Sequence, residues 1–232
     1  MRERHDIMTQ SKSIRIFTFG WSPEFVIRPL MEEGVSKGDV VVLIASKPET
    51  EYARKRVEEA YKQVGTFLQM AGITTLHYRE VDINRDILSI CRDIIKIVKE
   101  FNSANILKFY LTGGMRILVI ATVIVARLLH QVGKHVEVKI SREDRPISYS
   151  IPVKLLDLDV NNITEAQLEV LRYLKAQGEA KFEDLAIGRS EVTVRKHLTK
   201  LRENGLVSYI VKGRRQVYKL TPLGEMIIEI IG

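Results

Sequence analysis

The sequence lacks the features that anchor a chain in a membrane or stabilise it outside the cell. It has one cysteine, Cys91, in 232 residues, which excludes an intramolecular disulfide and a cysteine-cluster metal site. Its longest apolar run, residues 117–126, is about half of the roughly 18 residues that a membrane span needs. Residues 1–6 are mostly charged, and no apolar stretch follows them as it would in a signal peptide. We therefore expect a cytoplasmic protein with no membrane partner.

Positive charge is concentrated near the C-terminus and is not spread along the chain. The net charge is +7, and residues 189–219 carry nine Lys and Arg against two Glu. That segment accounts for the whole excess, so the other residues are neutral overall. Clustered cations are typical of surfaces that neutralise phosphates. The distribution predicts a polyanionic partner, and double-stranded DNA is the first candidate.

Short aliphatic runs alternate with amphipathic stretches over residues 13–155. Residues 39–45 are almost purely aliphatic, as in strands that a parallel sheet buries on both faces. Helical periodicity separates such runs, at about residues 24–33, 51–70, 85–101 and 115–131. This order predicts an α/β domain with a Rossmann-like parallel sheet and helices on both faces. Residues 1–12 are polar and unpatterned, and we interpret them as a leader.

Ligand sites in such sheets lie in the loops that follow the carboxyl ends of the strands, here residues 20–24, 46–50, 82–86 and 112–116. The last loop, Thr112-Gly113-Gly114-Met115-Arg116, is the most informative. Two glycines permit close approach of the backbone to a ligand, and the helix that follows offers free N–H groups. The loop predicts an anion site, but it is neither a Walker loop nor a dinucleotide fingerprint. The same turn also occurs as plain strand-to-helix geometry, so both interpretations stay open.

The pattern changes to helices in residues 163–232, after a linker that we place at residues 156–162. Thr164 and Gln167 form a capping box that opens a helix to about residue 177. A short helix at 182–187 and a third helix that starts from the cap Ser190 follow. Two strands, 206–211 and 216–220, flank a basic turn, and a last helix covers 221–231. This order predicts a winged helix-turn-helix domain.

The third helix of this domain has one apolar face and one polar face. Val194, Leu198 and Leu201 recur at helical spacing and predict the packed face. No second His or Cys lies at ligand spacing from His197, so no metal site is predicted. The predicted DNA-binding residues are Arg189, Ser190, Glu191, Thr193, Arg195, Lys196, His197, Lys200, Lys212, Arg214 and Arg215.

Residues 189–207 resemble the recognition helix and wing entry of MarR- and ArsR-like winged helices, and residues 213–224 resemble the way their wing returns to a last helix. The resemblance implies binding of duplex DNA. Within this scheme Arg189 and Lys212 contact phosphates, while Arg214 and Arg215 at the wing tip reach phosphates or the minor groove. A winged helix that serves as a protein–protein module is the alternative.

The whole chain resembles a second, larger family. The strand end Phe17-Thr18-Phe19-Gly20, the loop at 21–25 and the motif at 112–116, placed ahead of a winged helix, look like the archaeal CRISPR-associated regulators built from a CARF domain plus a winged helix. The resemblance implies a homodimeric transcription regulator of antiviral defence. It also implies a regulatory nucleotide ligand, a cyclic oligoadenylate and chiefly cyclic tetra-adenylate, bound across the two-fold axis of the dimer.

This resemblance also implies which residues bind the ligand, and it implies no cofactor and no catalytic residue. Backbone amides of Gly113, Gly114 and Met115 would contact phosphates. The full set of implied ligand-binding residues is Trp21, Ser22, Pro23, Glu24, Ser46, Lys47, Thr112, Gly113, Gly114, Met115 and Arg116. Trp21 is either a stacking platform for adenine or a hydrophobic plug at the sheet edge.

Two alternative functions fit the same residues. Some CARF domains cleave their own cyclic ligand, which would make the chain a ring nuclease. A MarR-like repressor that senses an unrelated anion is the other alternative. Cyclic oligoadenylate binding and the fate of the bound ring distinguish these functions from a purely regulatory one.

Overall fold

The computed structural model describes residues 13–36, 38–73, 75–101, 106–145, 147–153, 155, 162–188, 190–213 and 215–231. Contacts divide the chain into two compact units, the first ending at Val153 and the second beginning at residue 154. The predicted leader at 1–12 and nearly all of the predicted linker, residues 156–161, lie outside the described residues. None of the described helices is both long enough and apolar enough to cross a membrane.

The first unit contains a six-stranded sheet in the order β3-β2-β1-β4-β5-β6. The first five strands in this order are parallel, and β6 pairs antiparallel with β5 at one edge. This arrangement confirms the predicted α/β, Rossmann-like sheet. The strands are β1 Ser13–Phe19, β2 Val40–Ser46, β3 Leu76–Val81, β4 Ile106–Tyr110, β5 His135–Ser141 and β6 Ser148–Ile151.

Four helices cover the two faces of this sheet: α1 Glu24–Glu33, α2 Glu51–Met70, α3 Ile87–Lys99 and α4 Arg116–Gln131. Successive residues of β1 point to opposite faces. Phe17 packs with α1 and α2, where its ring stacks on Tyr110 at 4.3 Å, whereas Ile16 packs with α3 and α4. Both faces are therefore buried, which explains why β2 is a nearly continuous aliphatic run.

A buried ion pair lies at the end of the sheet where β1 and β2 begin. Arg15 Nε donates to Asp39 Oδ2 at 3.1 Å, and Ser13 Oγ donates to Asp39 Oδ1 at 2.7 Å. Burial favours a higher pKa for Asp39, but the hydrogen bonds from Ser13 and Ser36 and the charge of Arg15 hold that pKa below its ordinary value. This network lies at the opposite edge from the loops that follow the strands, so its role is structural.

The second unit packs four helices against a small antiparallel sheet of order β7-β9-β8. The sequence pattern missed β7, because three residues are too few to show alternation. The capping box of Thr164 and Gln167 is present as predicted. The elements are α5 Glu165–Gln177, β7 Glu179–Lys181, α6 Phe182–Leu185, α7 Glu191–Glu203, β8 Val207–Lys212, β9 Arg215–Leu220 and α8 Pro222–Ile231.

Candidate functional site

A cleft of about 510 Å³ opens at the carboxyl ends of the strands in the first unit. Strands β1 and β4 are neighbours in the sheet. After β1 the chain continues to β2 on one side, and after β4 it continues to β5 on the other side. The loops after them therefore diverge and leave a crevice, which is where open α/β sheets bind ligands. The lining residues are Phe19, Gly20, Trp21, Ser22, Phe25, Ser46, Lys47, Pro48, Glu49, Thr50, Ala53, Val57, Ile83, Thr112, Gly113, Gly114, Met115 and Glu143.

The two glycines of the 112–116 loop allow the loop to touch the end of β1. A Cβ atom on Gly113 would lie 2.7 Å from the Thr18 carbonyl oxygen, and one on Gly114 would lie 3.0 Å from that of Phe19. Gly114 also has φ of +82°, which L side chains rarely adopt. The reason given from sequence, close approach of a ligand, was therefore incomplete, because packing of backbone on backbone already requires both glycines.

The residues of the same loop differ in exposure, because Gly113 is buried whereas Gly114 and Met115 are exposed. Within the described residues, the amides of Gly113, Gly114 and Met115 have no backbone acceptor. Helix α4 begins directly after them, and its N-cap residue Met115 makes no side-chain cap. Helices α2 and α3 differ, because Thr50 and Asp86 cap their first turns. An uncapped helix start beside free amides can accept an anion.

A hairpin between β5 and β6 forms another wall of the cleft. Ser141 N–H donates to Thr112 Oγ1 at 2.7 Å, which ties the start of the hairpin to the glycine loop. The hydroxyl of Thr112 keeps its own proton for a further partner. At the hairpin tip Arg142 donates to Asp144 at 2.6 Å and lowers the pKa of that carboxyl, and Glu143 reaches the cleft.

The charges that line the cleft do not by themselves favour an anion. Lys47 is the lining cation, whereas Glu49 and Glu143 are carboxylates, and Glu49 accepts a hydrogen bond from Asn84 at 2.8 Å. An anionic ligand would therefore depend on the amides of the glycine loop and on Lys47. The carboxylates suit hydroxyl or amino groups of a ligand, which donate hydrogen bonds.

The remaining wall of the cleft is apolar and aromatic. Phe19, Phe25, Val57 and Ile83 line it, and Trp21 lies at the rim with half of its surface exposed. The Trp21 ring meets the exposed Tyr52 ring edge-to-face, with centroids 6.0 Å apart. Flat apolar groups such as nucleobases suit such a wall. Both interpretations of Trp21, a stacking platform for adenine and a hydrophobic plug at the sheet edge, stay predictions.

Most of the residues predicted for this site lie together, and three do not line the cleft. Trp21, Ser22, Ser46, Lys47 and residues 112–115 line it. Pro23 and Glu24 instead lie at the start of α1, and Arg116 is the first residue of α4. These three residues do not line the cleft. The sequence did not identify Glu49, Ile83 or Glu143, although Glu49 and Ile83 lie in loops that it placed at this edge.

The second unit presents a groove along the outer face of α7. Val194, Leu198 and Leu201 are buried as predicted. The groove on the opposite side is lined by Val192, Arg195, Lys196, Thr199, Lys200 and Glu203. Arg195 and Lys200 thus share one surface. Val192, with 63% of its surface exposed, and Thr199 were absent from the predicted set.

Several of the other predicted DNA-binding residues differ in their surroundings. Lys212 Nζ pairs with Glu179 at 2.6 Å, and both side chains are about half exposed, so the predicted phosphate contact of Lys212 stays a prediction. Ser190 occupies the N-cap of α7 but makes no side-chain cap. Glu191, Thr193 and Arg215 are exposed, and His197 is half-buried. Arg189 and Arg214 lie outside the described residues.

Metal chemistry receives no support from the described part of the chain. Within it, no three His, Cys, Asp or Glu side chains come together as a metal site would require. Cys91 is buried in the core with its thiol 3.6 Å from the Ala121 carbonyl oxygen, and burial raises the pKa of that thiol.

Comparison with known proteins adds a family. A family model described as the Csa3 CRISPR-associated Rossmann-like domain matches residues 13–154. No curated protein matches the chain.

Three solved structures are similar to parts of it. A possible transcriptional regulatory protein (fragment 1-100) from Mycobacterium bovis is 27% identical over 31% of this chain and 82% of its own, with a TM-score of 0.28. Enterococcus italicus Csm6 bound to cyclic hexa-2'-fluoro-hexa-dAMP is 10% identical, and the match covers 84% of this chain and 55% of Csm6 with a TM-score of 0.44. Pantothenate synthetase from Thermus thermophilus is 13% identical over 87% of this chain and 80% of its own, with a TM-score of 0.35.

Proposed function

The chain belongs to the family of Csa3 CRISPR-associated Rossmann-like domains, and from that premise we propose that it is a dimeric transcription regulator that senses a cyclic oligoadenylate and binds duplex DNA. The match confirms the Rossmann-like, CRISPR-associated part of the sequence-based prediction. The winged helix, the ligand, the DNA partner and the dimer are parts of the proposal.

The cleft at the end of β1 and β4 carries the ligand part of this proposal. Its glycine loop has three amides without a backbone acceptor, two of them at the exposed residues Gly114 and Met115, and these suit phosphates, while its aromatic rim suits bases. A ring with several phosphates and adenines would use both kinds of surface. The size of about 510 Å³ is ordinary for a small-molecule site, so one protomer would hold part of a larger ring.

A row of exposed apolar side chains on α4 supports the dimer. Ile120 and Leu128 are 54% and 43% exposed, and Val132 just beyond the helix is 74% exposed. These positions follow one side of the helix, which starts at the glycine loop. A second copy related by a two-fold axis would cover the same row on both protomers. The two clefts could then supply equal halves of one ligand site.

The order of elements in the second unit supports the DNA part. Three helices followed by the β8–β9 hairpin reproduce the winged helix-turn-helix order, with α7 as recognition helix. Its outer face carries Arg195, Lys196 and Lys200 next to the short polar side chain of Thr199. In this arrangement the β8–β9 hairpin is the wing, and Arg215 in it would reach the phosphate backbone.

Ligand binding to the full chain is the direct test of the sensing role. We expect cyclic tetra-adenylate to bind in calorimetry, and Lys47→Ala to weaken that binding roughly tenfold because one phosphate contact is lost. Lys55→Ala, on the exposed side of α2, is the matched control and should bind as the natural chain does. No heat from any cyclic oligoadenylate would contradict the proposal and favour a repressor that senses another anion.

DNA binding is tested by charge removal on α7. Arg195→Ala and Lys200→Ala should each weaken duplex binding several-fold and reduce the dependence of affinity on salt by about one counterion. Lys62→Ala in α2 removes an exposed lysine from the first unit and serves as the control. Equal affinity of all three variants would remove α7 from the DNA interface.

The proposed role is binding, and no catalytic step is assigned to the cleft. Incubation with cyclic tetra-adenylate, followed by chromatography, should return the intact ring. Linear products, absent from a parallel incubation without protein, would replace this part of the proposal with ring nuclease activity.

A further inference from the structure

Two arginines of α7 are held by aromatic rings, whereas the lysines between them are not. The Cζ atom of Arg195 lies 4.2 Å from the ring centroid of Phe182, the first residue of α6. The Cζ atom of Arg202 lies 4.4 Å from the ring centroid of Tyr209 in β8. Each guanidinium is thus placed against a neighbouring element, and an arginine held in this way has lost part of its rotamer freedom before any ligand arrives.

An arginine fixed over a ring keeps the edges of its guanidinium available. Stacking uses the flat face, while the N–H donors lie in the plane of the group and point away from its centre. The side chain of Arg195 remains 65% exposed, and its ion pair with Glu191 spans 3.8 Å between two exposed groups. Such a pair contributes little and gives way readily. A planar, bidentate acceptor can therefore replace Glu191.

The position of Arg195 along α7 distinguishes it from Arg202. Helix α7 runs from Glu191 to Glu203, so Arg195 lies in its first half and Arg202 in its last turn. In helix-turn-helix domains the N-terminal residues of the recognition helix contact base edges. Guanine presents O6 and N7 together in the major groove, and a bidentate arginine is the commonest specific contact to them. Lys196 and Lys200 lack a fixed planar donor pair and suit phosphates.

We propose that Arg195 determines the DNA sequence specificity of this chain by reading a guanine, and that Phe182 is the positioning residue that holds it for this contact. The inference rests on the proposed DNA-binding function and specifies which base the recognition helix contacts. If Arg195 instead only covered the Phe182 ring from water, its replacement would change stability and general affinity but not the choice of base.

The experiment begins with selection of duplexes from a pool with a randomised centre, using the full chain. Each guanine that the selected duplexes share is then replaced by 7-deazaguanine, which removes one acceptor and leaves the base pair intact. At one such guanine the natural chain should lose about fivefold or more in affinity. Arg195→Lys keeps the charge but lacks the planar fork, so its loss of affinity for the modified duplex should be several-fold smaller than that of the natural chain.

Phe182→Leu tests the positioning role, because it keeps an apolar side chain and removes the flat ring. It should bind unselected duplex as the natural chain does and discriminate less between guanine and 7-deazaguanine. Arg202→Lys and Tyr209→Leu change the second stacked pair and should keep full discrimination. Thermal unfolding of every variant identifies any that is destabilised. If Phe182→Leu is destabilised, the discrimination measured for Arg195→Lys alone decides whether Arg195 reads the guanine.

The outcomes separate this inference from the function on which it rests. Absence of duplex binding even at low salt would overturn both. Selection of duplexes without a shared guanine, or discrimination that is undiminished in Arg195→Lys, would overturn the role of Arg195 while DNA binding itself stands.

Discussion

At the scale of single residues, contacts within the chain require glycine at position 113. Its missing Cβ would fall 2.7 Å from the Thr18 carbonyl oxygen, closer than real Cβ atoms approach. The oxygen belongs to the backbone of β1 and a Cβ is bonded directly to the backbone of the loop, so neither side can yield cheaply. The glycine loop and the end of β1 therefore form one rigid surface of the cleft. Any contact between a ligand and the backbone amides of this loop depends on that packing.

We expect Gly113→Ala to lower the free energy of unfolding by about 2 kcal/mol, because overpacking forces the loop away from β1. Urea denaturation measures the change. Gly65→Ala in α2 is the control: its Cβ would meet only a side-chain carbon at 3.9 Å, and alanine should stabilise the helix by about 0.5–1 kcal/mol. Equal effects of the two substitutions would contradict the steric argument.

A variant at Gly114 is a poor probe of ligand binding for the same reason. Any β-branched residue there would meet both the strained φ of +82° and the Phe19 backbone. Loss of ligand would then report a displaced loop. Lys47, an exposed lining residue, avoids this ambiguity.

At the scale of elements, the β5–β6 hairpin is tied to the cleft through one hydrogen bond. The Ser141 amide is satisfied by the Thr112 side chain at 2.7 Å, and Ser141 is buried. Arg28 of α1 donates to the Arg145 carbonyl oxygen at 3.3 Å on the other side of the turn. The hairpin therefore contacts both the glycine loop and α1.

Removal of the Thr112 hydroxyl should loosen this hairpin. Thr112→Val leaves the Ser141 amide without its acceptor, at a cost of about 2 kcal/mol in stability, and hydrogen exchange at Ser141 should become faster. Thr112→Ser retains the oxygen and should behave nearly as the natural chain does. If the valine variant, which keeps the methyl group of Thr112, exchanged as slowly as the natural chain, the methyl and not the hydroxyl would hold the hairpin.

At the scale of the whole molecule, ligand affinity should depend on the oligomeric state. A ring bound across a two-fold axis needs both copies, so separation of the protomers removes half of its contacts. If the exposed row on α4 forms the proposed dimer interface, charge placed in this row should separate the protomers, because charge is costly inside an apolar interface.

Ile120→Glu combined with Leu128→Glu should yield monomers in analytical ultracentrifugation and abolish binding of cyclic tetra-adenylate in calorimetry. Met70→Glu, at an 84% exposed position at the end of α2, should change neither. Monomers that bind the ring as tightly as the natural chain would show that one cleft is sufficient, and the shared site would have to be abandoned.

The fold was predictable where the pattern depends on local periodicity. Both faces of β2 are buried, so this strand is a nearly continuous apolar run, and α7 shows its buried Val194, Leu198 and Leu201 at helical spacing. The loops at the carboxyl ends were predictable because a parallel sheet brings those ends to one edge. The three-residue β7 had no such signal.

The sequence by itself determined the order of elements, the Rossmann-like sheet and the concentration of cations in residues 189–219, since these follow from periodicity and composition along a continuous stretch. Tertiary structure alone decided which residues meet: Gly113 against Thr18, Glu143 at the cleft, Lys212 on Glu179 and Arg195 on Phe182. Each of these contacts joins separate elements of the chain. Their partners are chosen by how elements pack in space, and no local pattern encodes that choice.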